Sequence, residues 1–173
     1  KASRRITHDK RLAGVQEELD LFANRARLLA EHLGPVLYQL PPSFERDLKV
    51  LDAFLDMLPD DLVSAFEFRN RSWYCEETFE LLADRGACFC SHDMPRRQSP
   101  RRATGPAAYV RLHGPTRRYT GAYTEEALAD WADWMAARFK EGRSIYAYFN
   151  NDIGGQAPKD ALKLRQMLPA LTR

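Results

Sequence analysis

Five short apolar stretches of this 173-residue chain end on side chains that can move a proton or hold a charge. "VLYQL" carries Gln39, and "VSAFEF" carries Glu67 with Arg69 just beyond it. "ACFCS" runs into His92 and Asp93, "AYVRL" carries Arg111 and runs into His113, and "SIYAYF" leads to Asn150, Asn151 and Asp152. A carboxylate can accept or deliver a proton, and an imidazole changes charge near pH ~6.5. A guanidinium holds a carboxylate or phosphate through paired N–H groups. Glu67, Asp93 and His113 are therefore the candidate acids and bases, and Arg69 and Arg111 the candidate anion holders.

Other groups could complete such a site. Asn150 and Asn151 could bond hydroxyls or a carbonyl, although they equally suit an Asx-rich turn leaving a strand. Trp73, Tyr119, Tyr123 and Tyr148 could stack on a sugar or base ring, with Trp73 expected at a rim after "FRNRS". Trp131 and Trp134 share a helix with Leu128 and Phe139 and read as packing residues. Glu67, Asp93, His92 and His113 are also metal-ligand types, but no HxH or HExxH spacing occurs and the nearby arginines would repel a cation. No cofactor is expected, with a divalent metal as the alternative. Arg96, Arg97, Arg101 and Arg102, with Arg117 and Arg118, are the support for nucleic acid as a partner; solvated loop charge is the plainer explanation.

These residues need elements to position them. Val15, Leu19, Phe22, Ala26, Leu29 and Leu33 recur at helical spacing and predict a helix stopped by Gly34-Pro35. Leu48, Leu51, Leu55 and Leu58 predict a second helix. "CEETFELLADRG" predicts a third, acidic in its first turn and ended by Gly86. A helix is predicted over about 124–141 and a last one from near Pro158 to Leu168. The stretch "MPRRQSPRRATGP" reads as a loop. With the end of a strand assigned to "KASRRITH", about six strands alternate with helices, which implies a parallel sheet covered by helices. No linker divides residues 1–173, and one domain is expected.

An open sheet gathers a ligand at one switch point, whereas a (β/α)8 barrel gathers polar groups from many strand ends. No glycine-rich phosphate loop follows any strand. The predicted fold is therefore α/β of the TIM-barrel type, incomplete at about six β/α units and lacking the N-terminal strands. A second chain or a missing segment would complete it. Strand alternation places Glu67 with Ala65 and Arg69 on one face and Phe66 with Phe68 on the other. It likewise separates Tyr109, Arg111 and His113 from Val110 and Leu112. The apolar faces should meet the helices. Glu67 and Arg111 could then form a structural ion pair inside the barrel or serve a substrate.

The bulk composition agrees with this and excludes several classes. Hydrophobic content is 45%, enough for a buried core, and the net charge of +2 is mixed along the chain rather than uniformly basic. No apolar run reaches the roughly 20 residues that span a bilayer, so no membrane partner is expected. The three cysteines, an odd count, read as thiols of a reducing compartment, and a cytoplasmic location is expected.

The segments "AFEFRNRSWY", "YVRLHGP", "YTGAYTEEAL" and "IYAYFNND", in that order, resemble the YecE-like proteins, domain of unknown function 72. "KASRRITH" and "LGPVLYQLPPSF" fit its earlier segments. The resemblance implies a TIM barrel of about 230 to 280 residues, within the usual range for that fold, whose N-terminal strands are missing here. It implies that Lys1, His8, Gln39, Glu67, Arg69, Trp73, Asp93, Arg111, His113, Asn150 and Asn151 lie at the barrel mouth. The family carries no settled activity. The expected function is an enzyme doing acid/base chemistry, hydrolysis or isomerisation, on a small anionic molecule such as a sugar phosphate or carboxylate. The alternatives are a nucleic-acid-processing or nucleic-acid-binding barrel and a non-catalytic ligand binder.

Overall fold

Five parallel strands and five α-helices make up the fold in the computed structural model, which describes residues 1–168. The strands are β1 (Val36–Gln39), β2 (Ser64–Glu67), β3 (Cys88–Asp93), β4 (Ala107–Leu112) and β5 (Ser144–Phe149). The helices are α1 (Gln16–Arg27), α2 (Leu48–Asp56), α3 (Glu76–Asp84), α4 (Glu125–Lys140) and α5 (Gln156–Met167). Every ladder joins neighbours in the sequence, from β1–β2 through to β4–β5. The chain divides into two compact units, one ending at Phe89 and the next beginning at Cys90. The first two residues of β3 pair with β2, and its last four with β4.

In the first unit the apolar alternation of the strands makes an aromatic ladder. Tyr38 stacks on Phe66 at 5.2 Å, Phe66 on Phe68 at 6.3 Å and Phe68 on Phe89 at 6.1 Å. Phe54 of α2 meets Tyr38 edge-on at 5.2 Å. Leu51, Leu55, Phe79 and Leu82 bury the inner stripes of α2 and α3 against the same cluster. Each large apolar side chain removed from water contributes roughly 1.5–3 kcal/mol. In the second unit Val110 and Leu112 of β4 pack with Leu128, Trp131, Ala132 and Met135 of α4 and Leu164 of α5. Thr124 caps α4, its side chain accepting from the Ala127 amide. Glu125 and Glu126 in the first turn, with Arg138 and Lys140 in the last, complement the helix dipole.

Two expectations are corrected. "KASRRITH" is not a strand end: Arg5–Asp9 forms a π-helical turn, and before it the Ala2 amide bonds the Leu37 carbonyl of β1 at 2.9 Å. The described residues therefore hold five strands rather than six. The first helix also stops at Arg27, well before Leu33. Leu28 and Leu29 are 83% and 54% exposed, so the apolar stripe has nothing left to cover. Ala30 then takes φ 45°, which ends the helical path.

Candidate functional site

Within the first unit, Gln39 and Glu67 are register partners at the C-terminal ends of β1 and β2. Their strand parity turns them away from the aromatic ladder, together with Ala65. Glu67 is fully buried and forms an ion pair with Arg69, whose side chain is 9% exposed. The Lys1 ammonium donates to Gln39 Oε1 at 3.0 Å. Beside Lys1 lies a cleft of ≈ 250 Å³ lined by Lys1, Ala2, Arg4, Thr7 and His8. The His8 Nδ1 is 2.8 Å from Thr7 Oγ1. Burial first, and then the Arg4 and Lys1 charges, hold the His8 imidazole below its ordinary pKa, with Asp9 opposing them.

Trp73 is not a rim residue. It is fully buried, stacks on Phe68 at 4.7 Å, and donates its indole N–H to the Phe44 carbonyl at 2.8 Å. The segment Arg71–Trp73 is a short 3-10 turn capped by the Asn70 side chain, and that turn folds the ring back into the core. A stacking role for Trp73 is accordingly dropped.

Within the second unit the register places His92 of β3 beside Arg111 of β4, and Arg111 beside Tyr148 of β5. This row lies on the face opposite Val110 and Leu112. His113 stands two residues beyond Arg111 on the same side. Its ring is 6.2 Å from His92, edge to face, and 5.9 Å from Tyr119. His92 and His113 are each 1% exposed, whereas Arg111 is only partly buried. Tyr109 stacks on Tyr148 at 5.0 Å. Burial first, then the Tyr148 phenol beside it, drive the Tyr109 hydroxyl above its ordinary range.

Asp93 falls on the other face. It is the register partner of Leu112, it accepts from Gln98 Nε2 at 2.8 Å, and it bonds the Tyr123 hydroxyl. Strand alternation therefore turns it away from the row that holds Arg111. The strand "CFCSHD" presents His92, not Asp93, to the row that holds Arg111.

The turn after His113 is built by glycine. Gly114 has φ 105°, and a Cβ there would lie 2.5 Å from the Thr120 carbonyl oxygen and 2.8 Å from that of Arg117. Its amide donates to the Tyr123 hydroxyl at 3.0 Å. Gly114→Ala is expected to cost about 1–3 kcal/mol from backbone strain alone, with the overlap adding to it. A urea titration checks this, and an unchanged midpoint would show that the turn relaxes freely.

A family model described as "Protein of unknown function DUF72" matches residues 1–173. The chain belongs to the DUF72 family. It is 26% identical to the UPF0759 protein YunF of Bacillus subtilis, the match covering 82% of this chain but only 60% of YunF. The chain thus spans about 60% of that curated relative's length. A DUF72 family protein from Thermotoga maritima superposes with a TM-score of 0.86 at 28% identity, over 97% of this chain and 72% of that one. One from Enterococcus faecalis superposes with a TM-score of 0.80 at 21% identity, over 91% and 67%, a likeness of fold.

In this DUF72 chain the two asparagines after β5 have different settings. The Asn150 amide donates to the Leu112 carbonyl at 2.7 Å, extending the ladder, and its side chain is half-buried. Asn151 is fully buried and structural: its Nδ2 donates to the Gly121 carbonyl at 2.8 Å and to Asp160 Oδ2 at 2.7 Å. Asp160 also accepts from the Tyr123 amide at 3.0 Å. Neither Asp160, Arg4 nor Thr7 stood out in the sequence. Asp160 reads there as one more charge on an amphipathic helix, and its only signal is its place within α5's buried stripe beside Ala157 and Leu164.

Part of the basic loop is occupied internally. Arg101 meets Asp130 at 2.6 Å and covers the Trp131 ring at 3.9 Å, and Arg118 covers Tyr119 at 4.7 Å. Among the described residues, no group of three or more His, Cys, Asp or Glu is placed to hold a metal ion. No helix among them is long and apolar enough to cross a membrane.

Proposed function

We infer that this DUF72 protein is a barrel-type enzyme that binds a small anionic molecule, a sugar phosphate or carboxylate, and transfers a proton in its hydrolysis or isomerisation. The observation that carries this reading is the row His92–Arg111–Tyr148 with His113 above it, on the strand face turned away from the helices. Arg111 holds the anion through its forked N–H groups. His113 takes up or delivers the proton, because an imidazole does either near neutral pH. Tyr148, 42% exposed, offers a ring face to the substrate, and Asn150 bonds its hydroxyls. Glu67 acts by fixing Arg69 rather than by touching substrate.

Thermal-shift screening against sugar phosphates and small carboxylates, followed by turnover assays on the hits, tests the reading. His113→Ala is expected to lower kcat by roughly 10²–10⁴-fold, the usual contribution of a general acid or base, with KM little changed. Arg111→Met is expected to act mainly on KM. Turnover unaffected by both changes removes the site. Binding without turnover makes the protein a ligand binder, and binding that weakens steeply with salt and follows polynucleotide length makes it a nucleic-acid protein.

A further inference from the structure

One buried carboxylate of the second unit has no cationic partner. Asp160 lies in the buried stripe of α5, with no solvent exposure. Its Oδ2 accepts from the Tyr123 amide at 3.0 Å and from Asn151 Nδ2 at 2.7 Å, and both donors are neutral. Its Oδ1 accepts from no group of the protein. Among the described residues no ion pair reaches Asp160, and Lys159 and Lys163 of the same helix stand exposed to water. Buried carboxylates are as a rule paired with a cation or coordinate one.

A second acceptor lies beside it. Asn151 is also fully buried, and its Nδ2 uses both hydrogens, one on Asp160 Oδ2 and one on the Gly121 carbonyl at 2.8 Å. These bonds fix the amide, because turning it over would set its oxygen against two acceptors. Asn151 Oδ1 therefore points the other way, and it too has no donor within the protein. Buried acceptors in this state cost free energy unless something satisfies them. A water molecule can donate to both oxygens, but it carries no charge to set against the carboxylate. A cation meets both needs, since carboxylate and amide oxygens are the ligands that hard cations take.

We propose that Asp160 Oδ1 and Asn151 Oδ1 bind a monovalent alkali cation, sodium or potassium, in the interior of the second unit. One carboxylate neutralises one positive charge. A divalent ion asks for more, and no group of three or more His, Cys, Asp or Glu is placed to supply it among the described residues. The site is separate from the proton-transfer reading above and stands whether or not His113 has a role. Its effect reaches the same turn. The cation holds Asp160, Asp160 holds the Tyr123 amide, and the Tyr123 hydroxyl receives the Gly114 amide next to His113.

The test is urea unfolding of the full chain in sodium, potassium or choline chloride at equal ionic strength. Choline is too bulky for an interior site and screens surface charge equally. A cation held by the native protein alone lowers the unfolding constant by the factor 1 + [cation]/Kd, about elevenfold at ten times Kd. Stability is expected to rise and saturate with sodium or potassium and not with choline, and the ion with the larger effect is the one the site selects. Asp160→Asn keeps the size of the side chain and removes its charge, and is expected to abolish the difference between the salts. Asp152→Asn, at an exposed position, is expected to keep it. Crystals of the unaltered chain soaked in thallium(I) locate the ion even if Asp160→Asn does not fold, with an anomalous peak expected in contact with both Oδ1 atoms. Equal stability in the three salts assigns the place to a water or a proton and overturns the proposal. A salt difference that survives Asp160→Asn overturns it as well, and so does thallium bound only elsewhere.

Discussion

Replacing Glu67 with alanine is expected to destabilise the protein by about 3–5 kcal/mol, the usual cost of removing one partner from a buried ion pair. Glu67 has no solvent exposure and Arg69 is 9% exposed, so the guanidinium left behind cannot recover its hydration without rearranging the ends of β1 and β2. A domain of this kind has only about 5–15 kcal/mol in hand. The loss would be a large share of it. Urea unfolding measures it as a lower midpoint at unchanged slope. The double replacement Glu67→Leu with Arg69→Met is expected to be more stable than Glu67→Ala alone, because neither charge of the pair is left buried. A loss below about 1 kcal/mol for Glu67→Ala would show that water reaches Arg69 and that the pair is not structural. The comparison also decides how activity data are read. A Glu67 variant that loses activity together with stability says nothing of catalysis, whereas the double variant isolates the question.

Asp160→Ala is expected to cost about 2–6 kcal/mol, one unsatisfied-donor penalty for each of two buried groups. The carboxylate is fully buried and accepts from the Tyr123 amide at 3.0 Å and from Asn151 Nδ2 at 2.7 Å. Alanine leaves both N–H groups facing an empty space. Asp160→Asn keeps an acceptor oxygen and is expected to lose less. The effect should travel. Tyr123, positioned by Asp160, receives the Gly114 amide on its hydroxyl at 3.0 Å, and Gly114 sets the turn that carries His113. Amide hydrogen exchange is expected to speed up at Tyr123 and Gly114 in Asp160→Ala beyond the global change. Exchange that rises evenly across the second unit would show that Asp160 contributes to stability without holding the His113 turn.

The local patterns of this chain carry most of its elements. Period-2 alternation in "VSAFEF" and "AYVRL" separates Phe66 and Val110 from Glu67 and Arg111, and the folded strands keep that separation because neighbouring side chains on a strand must point opposite ways. Helical spacing finds α2 and α4 because their apolar stripes are also the surfaces they bury. The family resemblance read from "AFEFRNRSWY", "YVRLHGP" and "IYAYFNND" is the family that matches the whole chain. Strand alternation does not say where a strand meets its neighbour. His92 and Asp93 are adjacent and of equal chemical promise, and only the pairing of Asp93 with Leu112 turns one toward the helices and the other toward Arg111. Trp73 belongs to a turn, where no periodicity applies, and its ring went to the core because Phe44 and Phe68 left a matching space and an acceptor. Asp160 and Arg4 became significant through partners 37 residues away in one case and a cleft wall in the other. Short-range order follows from each residue's own backbone and side-chain preferences. The grouping of charges depends on which distant segments meet, and that is decided by packing.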